Sequence, residues 1–305
     1  MKRVIITGAT GAIGTALINE FVNNNIEVLV FTRKESKRNN NIINNKLVKI
    51  LYCSLNEIEY QQNNTGTDYD CFFHLAWAGA SGEARNDKTL QEKNVEYAVN
   101  AVECAKRFGC NKFIGIGSQA EYGLVNEPLT TKTETNPVTE YGKAKLLAGQ
   151  KTKAKAEKLG LEFNWIRVLS IYGPNDGDNT LISYLVKTMK KNEDVHVTKC
   201  EQIWDYLYSE DAASAIKMVA EKGVNGKTYV LGSGKALILK EYVETIKKII
   251  KSTSNIEYGY LEYSNNQVMC LYANISEIVQ DIKWLPKTSF SSGITTIINK
   301  QYENN

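Results

Sequence analysis

The stretch "TEYGKAK" places Tyr141 and Lys145 four residues apart. On a helix that spacing puts both on one face. A phenol beside an ammonium can deliver or remove a proton, because a nearby positive charge favours the phenolate and lowers a phenol pKa from about 10 toward neutrality. In a chain with 17 tyrosines and abundant lysine, the pair alone says little. It gains meaning from "GIGSQAEYG", where Ser118 closes a predicted strand, and from "TGATGAIG", where Gly8, Gly11 and Gly14 separate a predicted strand from a predicted helix. Glycines there allow a tight turn and let backbone N–H groups approach a pyrophosphate at the positive end of a helix dipole. Thr10, Ala12 and Ile13 complete that turn. The C-terminal ends of parallel strands face the ligand crevice, so Ser118 falls on the same side as the glycines.

These residues need elements to hold them. Short β-branched or apolar runs predict strands over 2–7, 27–32, 47–54, 69–77, 112–118 and 161–173. Apolar spacing predicts helices over 15–25, 88–107 and 139–159. The alternation implies βαβ units with right-handed crossovers, hence an α/β fold with a doubly wound parallel sheet of the Rossmann type. After Pro174 the elements shorten. A dinucleotide-binding domain over 1–173 and a smaller substrate-binding domain over 174–305 follow, with 201–232 returning to the first domain through "YLYSEDAASAIKMVAE". The Asn-rich "NNNIINN" (39–45) reads as a mobile loop.

The bulk composition narrows the function classes. The chain has 305 residues, 43% apolar and 23% charged, with Lys+Arg 37 against Asp+Glu 34. A net charge of +3 gives no case for nucleic acid or a membrane surface as main partner. No apolar run reaches the roughly 20 residues a bilayer span needs, and no signal peptide is visible. Six scattered cysteines without a CxxC pair read as reduced, buried thiols of a cytoplasmic protein. Only two histidines, His74 and His196, leave little material for a zinc site, and no metal is expected.

In this order, "TGATGAIG", "HLAW" (74–77), "GSQAEYG" (117–123), "YGKAK" (141–145) and "RVLSIYGP" (167–174) resemble the extended short-chain dehydrogenase/reductase family of nucleotide-sugar epimerases, dehydratases and reductases. A closing "DIKWLPKTSFSSGI" (281–294) is similar to the family's last segment, so the resemblance covers nearly the whole chain. It implies a Ser-Tyr-Lys site in which Tyr141 exchanges the proton, Ser118 aligns the substrate oxygen and Lys145 holds the nicotinamide ribose. Gly8, Thr10, Gly11, Ala12 and Ile13 would then meet the pyrophosphate. Ser54 and Leu55 would lie at the adenine, and Leu75, Ala76, Trp77, Asn94 and Val168 would border the rest of the cofactor. Trp77, Arg85, Gln119, Ser170 and Trp204, with Ser118, would shape the substrate site. The resemblance also implies a homodimer through the helices at 88–107 and 139–159.

The departures from the family pattern sort the reactions. The 4,6-dehydratases carry an Asp-Glu pair after the hydroxyl residue; here Gln119 and Ala120 stand there, which argues against dehydration. The Cys that 3,5-epimerase/reductases place two residues after the Ser is Ala120. A carboxylate about 20 residues past the glycines would bind an NAD ribose; this chain has Thr32 and Arg33 instead, suited to the 2′-phosphate of NADP. Trp204 stands where relatives hold the substrate diphosphate with an Arg, which leaves Lys187, Lys190 or Lys199 to neutralise it. The expected activity is NADPH-dependent reduction of a nucleotide-linked 4-keto (6-deoxy) sugar. An NAD-dependent 4-epimerase and a non-catalytic NADP-binding regulator are the alternatives.

Overall fold

A computed structural model describes residues 1–302. The first half alternates strand and helix: β1 (Arg3–Thr7), α1 (Ala12–Asn23), β2 (Glu27–Thr32), β3 (Val48–Tyr52), β4 (Cys71–His74), α2 (Lys88–Arg107), β5 (Lys112–Ser118), α3 (Glu140–Leu159) and β6 (Glu162–Val168). Shorter elements follow: β7 (Ser170–Tyr172), α4 (Leu181–Lys190), β8 (Val195–Val197), β9 (Ile203–Trp204), β10 (Tyr206–Tyr208), α5 (Ser209–Lys222), β11 (Thr228–Leu231), β12 (Leu237–Ile238), α6 (Leu239–Ile250), β13 (Ile256–Tyr258), β14 (Cys270–Leu271), α7 (Ser276–Ile282) and α8 (Phe290–Tyr302).

Seven strands form one parallel sheet in the order β11-β6-β5-β4-β1-β2-β3. The order reverses between β1 and β4, so the crevice opens above Thr7 and His74, which are register partners. The central strands are apolar along their length because helices cover both faces. One face buries Leu17 and Phe21 of α1 against Ile216 and Val219 of α5. The other buries Val95, Ala98 and Val102 of α2 with Ala144 and Ala148 of α3. Asp87 caps α2 by accepting from Leu90 N (3.0 Å), and Thr139 caps α3 by accepting from Gly142 N (3.1 Å).

The glycines of β5 have a packing reason. A Cβ on Gly115 or Gly117 would stand 2.4 or 2.3 Å from the Trp165 ring of β6. Trp165 therefore lies flat across β5, and its indole N–H reaches past the strand end to Glu121.

The sixth predicted strand is two strands. β6 stays in the large sheet, while β7 leaves it to pair with β10. The loop expected over 39–45 begins inside a short 3-10 turn, Lys37–Asn41. In the second half, Tyr172, Leu185, Tyr242 and Ile294 centre a separate core. Residues 276–284 lie elsewhere: Ile278, Ile282 and Trp284 join the core beneath α1 and α5. Among the described residues no helix is long and apolar enough to cross a membrane.

Candidate active site

Gly8 takes φ +73°, and a Cβ there would stand 2.6 Å from Ala76 N. Gly14 faces Gly8 O, where a Cβ would be only 2.2 Å away. These two glycines pack the turn against β4's exit and against itself. Gly11 differs: a Cβ there meets nothing within 4 Å. Gly11 is also the N-cap of α1 and makes no side-chain capping bond. The space beside Gly11, at the start of α1 and the switch point of the sheet, is thus open, where helix N–H groups can meet a pyrophosphate. A dinucleotide fits this cradle. Leu75 N donates to Thr7 O (3.2 Å) and Ala76 N to Thr7 Oγ1 (3.3 Å), so the segment after β4 is laid along the cradle wall. Thr10 lies on the turn itself, Ala12 and Ile13 open α1, and Val168 ends β6 beside Ser118.

Ser118, Tyr141 and Lys145 come together at the end of β5. Ser118 is 8% exposed, Tyr141 8% and Lys145 4%. The Ser118 hydroxyl lies beside the Tyr141 phenol and accepts from Ala120 N (3.2 Å). Lys145 Nζ donates to Ile116 O (2.8 Å) and sits 3.8 Å from the Trp77 ring centroid. Gln119 begins the turn after β5, and Ala120 is buried within it.

The expected lowering of the Tyr141 pKa is corrected by this geometry. Burial is the largest influence and raises it above 10.0; the Ser118 hydrogen bond and the Arg85 charge act downward, and Glu121 acts upward. Lys145 is a poor source of charge for the phenol. Its Nζ lies 5.9 Å from the Tyr141 ring centroid, and burial pushes its own pKa from 10.5 down to about 7. His74 is also held neutral, with a pKa lowered to about 3 by burial and then by Lys145. It shares a 3.0 Å hydrogen bond with Thr7 and serves packing.

The loop after β4 is fastened by α2. Asn94 accepts from Ala78 N (2.9 Å) and donates to Ala78 O (2.8 Å), while Gln91 accepts from Trp77 Nε1 (2.8 Å) and donates to Gly79 O and Ala84 O. Both residues are 1% exposed. Asn94 is thus a buried clamp, and Gln91 is a second one absent from the sequence analysis. The clamped loop brings Arg85 over Tyr141.

Glu121 was also missed. It is fully buried and accepts from Ser118 N (2.8 Å), Trp165 Nε1 (3.0 Å) and Arg167 Nε (2.6 Å). Its signal is the spacing Ser118-x-x-Glu121, a capping box.

At the far end of the crevice, Thr32 donates its hydroxyl hydrogen to Asn39 Oδ1 (2.8 Å), and Asn39 Nδ2 donates to Arg33 O (2.9 Å). The Thr32 hydroxyl hydrogen is therefore spent inside the turn, and the exposed Arg33 and Lys34 side chains are the donors left there. Asn41 Nδ2 donates to Thr10 O (3.2 Å), so the Asn-rich segment braces the glycine turn. Ser54 caps residues 55–60 in a capping box with Glu57, and Leu55 packs into the core.

Ser170 and Trp204 pair with each other through a 2.8 Å hydrogen bond from Trp204 Nε1. Trp204 lines a cavity of about 620 Å³ with Tyr184, Tyr206 and the stacked rings of His196 and Tyr260. Lys187 and Lys190 do not face it. They line a different cavity of about 990 Å³ together with Arg38, Thr15 and Lys300, so the expectation that they neutralise a diphosphate beside Trp204 is corrected. Lys199 packs its stem near Gly259.

A doubly wound sheet with a glycine cradle and a buried Ser-Tyr-Lys cluster defines a nucleotide-binding enzyme of the extended short-chain type. The chain belongs to the NAD dependent epimerase/dehydratase family, whose model matches residues 4–232. It is 25% identical to a CDP-abequose synthase of Salmonella muenchen, across 98% of this chain and 97% of that one. It is 23% identical to a dTDP-4-dehydro-6-deoxyglucose reductase of Escherichia coli, across 97% and 96%. Its fold is similar to that of a UDP-glucose 4-epimerase from Thermotoga maritima, with TM-score 0.89, 19% identity and 99% of both chains covered.

Proposed function

We propose that this enzyme reduces the keto group of a nucleotide-linked 4-keto, 6-deoxy sugar with NADPH. The observation that carries this reading is the convergence of Ser118, Tyr141 and Lys145 beside the glycine cradle, in a site where Gln119 and Ala120 replace an acid–base pair. Two relatives matched over nearly their full length are named as a synthase of a CDP-linked sugar and a reductase of a dTDP-linked 4-dehydro sugar.

The first N–H groups of α1 and the turn at Gly11 would hold the pyrophosphate, and Arg33 would meet the ribose 2′-phosphate. Lys145, moved from Ile116 O, would bond the nicotinamide ribose. The bound nicotinamide supplies the hydride that reaches the carbonyl carbon. Ser118 donates a hydrogen bond to the carbonyl oxygen and orients it. Tyr141 Oη then gives its proton to that oxygen, so the ketone leaves as an alcohol. Trp77 and Arg85, clamped by Gln91 and Asn94, exclude water from the phenol. The aromatic cavity beside Trp204 would take the nucleotide base. A dimer through α2 and α3 belongs to the same reading.

The 4-epimerase reading has one observation in its favour. With the Thr32 hydroxyl hydrogen spent on Asn39, only the exposed cations after β2, Arg33 foremost, would distinguish a 2′-phosphate from a 2′-hydroxyl.

The test is NADPH oxidation by purified protein against 4-keto-6-deoxy sugars linked to CDP, dTDP, GDP and UDP. Oxidation with one of them is expected, lost in Tyr141→Phe while NADPH binding persists. Release of NAD from denatured protein, together with isomerisation of a UDP-hexose, would establish the epimerase instead.

A further inference from the structure

The cavity of about 990 Å³ stands apart from the proton-transfer site: Ser118, Tyr141, Trp204 and the three glycines of the cradle are all absent from its lining. Its walls come from α1, the turn Lys37–Asn41, the segment after β7, α4 and α8, so distant parts of the chain converge on it. α4 divides it from the aromatic cavity. Thr180, Leu181 and Tyr184 line the aromatic side, while Ser183, Val186 and Lys187 line the other.

The cavity gathers positive charge. Arg38, Lys187, Lys190, Lys191 and Lys300 line it against Asp176, Asp178 and Glu210, five cations to three anions, an excess of two. The whole chain carries only +3, so this is a local concentration. Two of the carboxylates are already engaged. Asp176 accepts from Gly177 N (2.8 Å) and Thr180 Oγ1 (3.0 Å), and Glu210 pairs with Lys300 at 3.3 Å. Arg38 is fixed at the rim because its Nη2 donates to Asn175 O (2.6 Å), which uses one of its several N–H donors. Lys187 is exposed and enters no ion pair among the described residues.

We propose that this cavity is a second anion-binding site, for a phosphate-bearing small molecule with two or more negative charges. Ammonium and guanidinium groups converging on one space suit phosphate oxygens, and the excess of two positive charges matches a diphosphate. Among the described residues no group of three or more His, Cys, Asp or Glu could hold a metal, so the three carboxylates do not make this a cation site. Small-molecule sites have volumes of roughly 300–1,000 Å³, so the space suits a nucleotide better than a lone phosphate. The site is separate from the one that would bind the nucleotide sugar, and it does not depend on which reaction Tyr141 serves.

The experiment titrates the full chain by calorimetry with inorganic pyrophosphate and, separately, with ATP. Binding of at least one is expected, weakening as salt rises because exposed charges are screened. The double variant Lys187→Gln with Lys191→Gln, both exposed, is expected to weaken it about tenfold or more while keeping its melting temperature. The control removes the same charge elsewhere: Lys151→Gln with Lys158→Gln, exposed on α3 across the sheet, is expected to change affinity less than about twofold. Tighter binding of ATP would assign a nucleotide as the ligand, and tighter binding of pyrophosphate a free diphosphate; either supports the site. No heat with either anion at millimolar concentration overturns the proposal. So does an equal loss in the two double variants, or an affinity in Lys187→Gln with Lys191→Gln within about twofold of the parent, because the anion would then sit at the cradle or beside Trp204.

Discussion

Glu121→Gln is the perturbation whose cost can be worked most fully from the site. Glutamine keeps one carboxamide oxygen where Oε1 accepts from Ser118 N and Trp165 Nε1. Its NH₂ then faces the Arg167 Nε–H that Oε2 had accepted, donor against donor. Arg167 is 9% exposed, so its charge is left buried without an anion. Breaking a buried pair costs about 3–5 kcal/mol. The Tyr122 ring, 4.6 Å from the guanidinium, is in place before and after the substitution and so does not change the difference. The loss is about 3–5 kcal/mol, a large share of a fold's usual margin of about 5–15 kcal/mol. In urea this moves the unfolding midpoint down by about 1 M, read by tryptophan fluorescence because Trp165 lies in the cluster. The double variant Glu121→Gln with Arg167→Met removes the orphaned charge and is expected to recover about 2 kcal/mol relative to the sum of the single losses. Glu121→Ala also releases Ser118 N, so its turnover per folded molecule should fall by a further factor of about 10. A loss below about 1 kcal/mol in Glu121→Gln, or strict additivity in the double variant, would refute the view that this buried pair holds the turn.

Three other outcomes follow from the same geometry. Gly11→Ala should leave the melting temperature nearly unchanged, since its Cβ meets no atom, yet abolish NADPH binding; Gly14→Ala should lose about 3 kcal/mol or more of stability, since its Cβ would overlap Gly8 O, and equal melts for the two refute the cradle. Arg33→Glu should weaken NADPH binding about tenfold and NADH binding little, in fluorescence titrations; equal losses remove the main reason to prefer reductase over epimerase. Burial lowers the Lys145 pKa from 10.5 to about 7, so between those values the unfolded chain binds more protons and native stability rises with pH. Lys145→Met should therefore stabilise the cofactor-free fold by about 2 kcal/mol near pH 6 and by progressively less toward pH 10; a gain that grows with pH contradicts the buried ammonium.

What could be read along the chain divides by the range of the interaction. The strands of the large sheet are nearly continuous apolar runs because helices cover both faces, and that pattern is written locally. The helix predicted over 88–107 matches α2, since Asp87 supplies its cap and Gly109 lies just past its end. The break between β6 and β7 was not legible, because β7 departs only to meet β10, more than 30 residues later in the chain. The same division runs through the site. Gly8, Gly11 and Gly14 announce a cradle by spacing alone, and Ser118 announces a strand end. The spacing of Tyr141 and Lys145 correctly puts both on one helix face, but it cannot say where four methylenes carry an ammonium. That destination is set by the Ile116 carbonyl and the Trp77 ring, both from other elements. The cation nearest the phenol arrives instead from a loop held by two buried amides on α2. A motif therefore identifies which groups can react, while the ionisation that makes them react is decided by whichever side chains the tertiary fold folds over them.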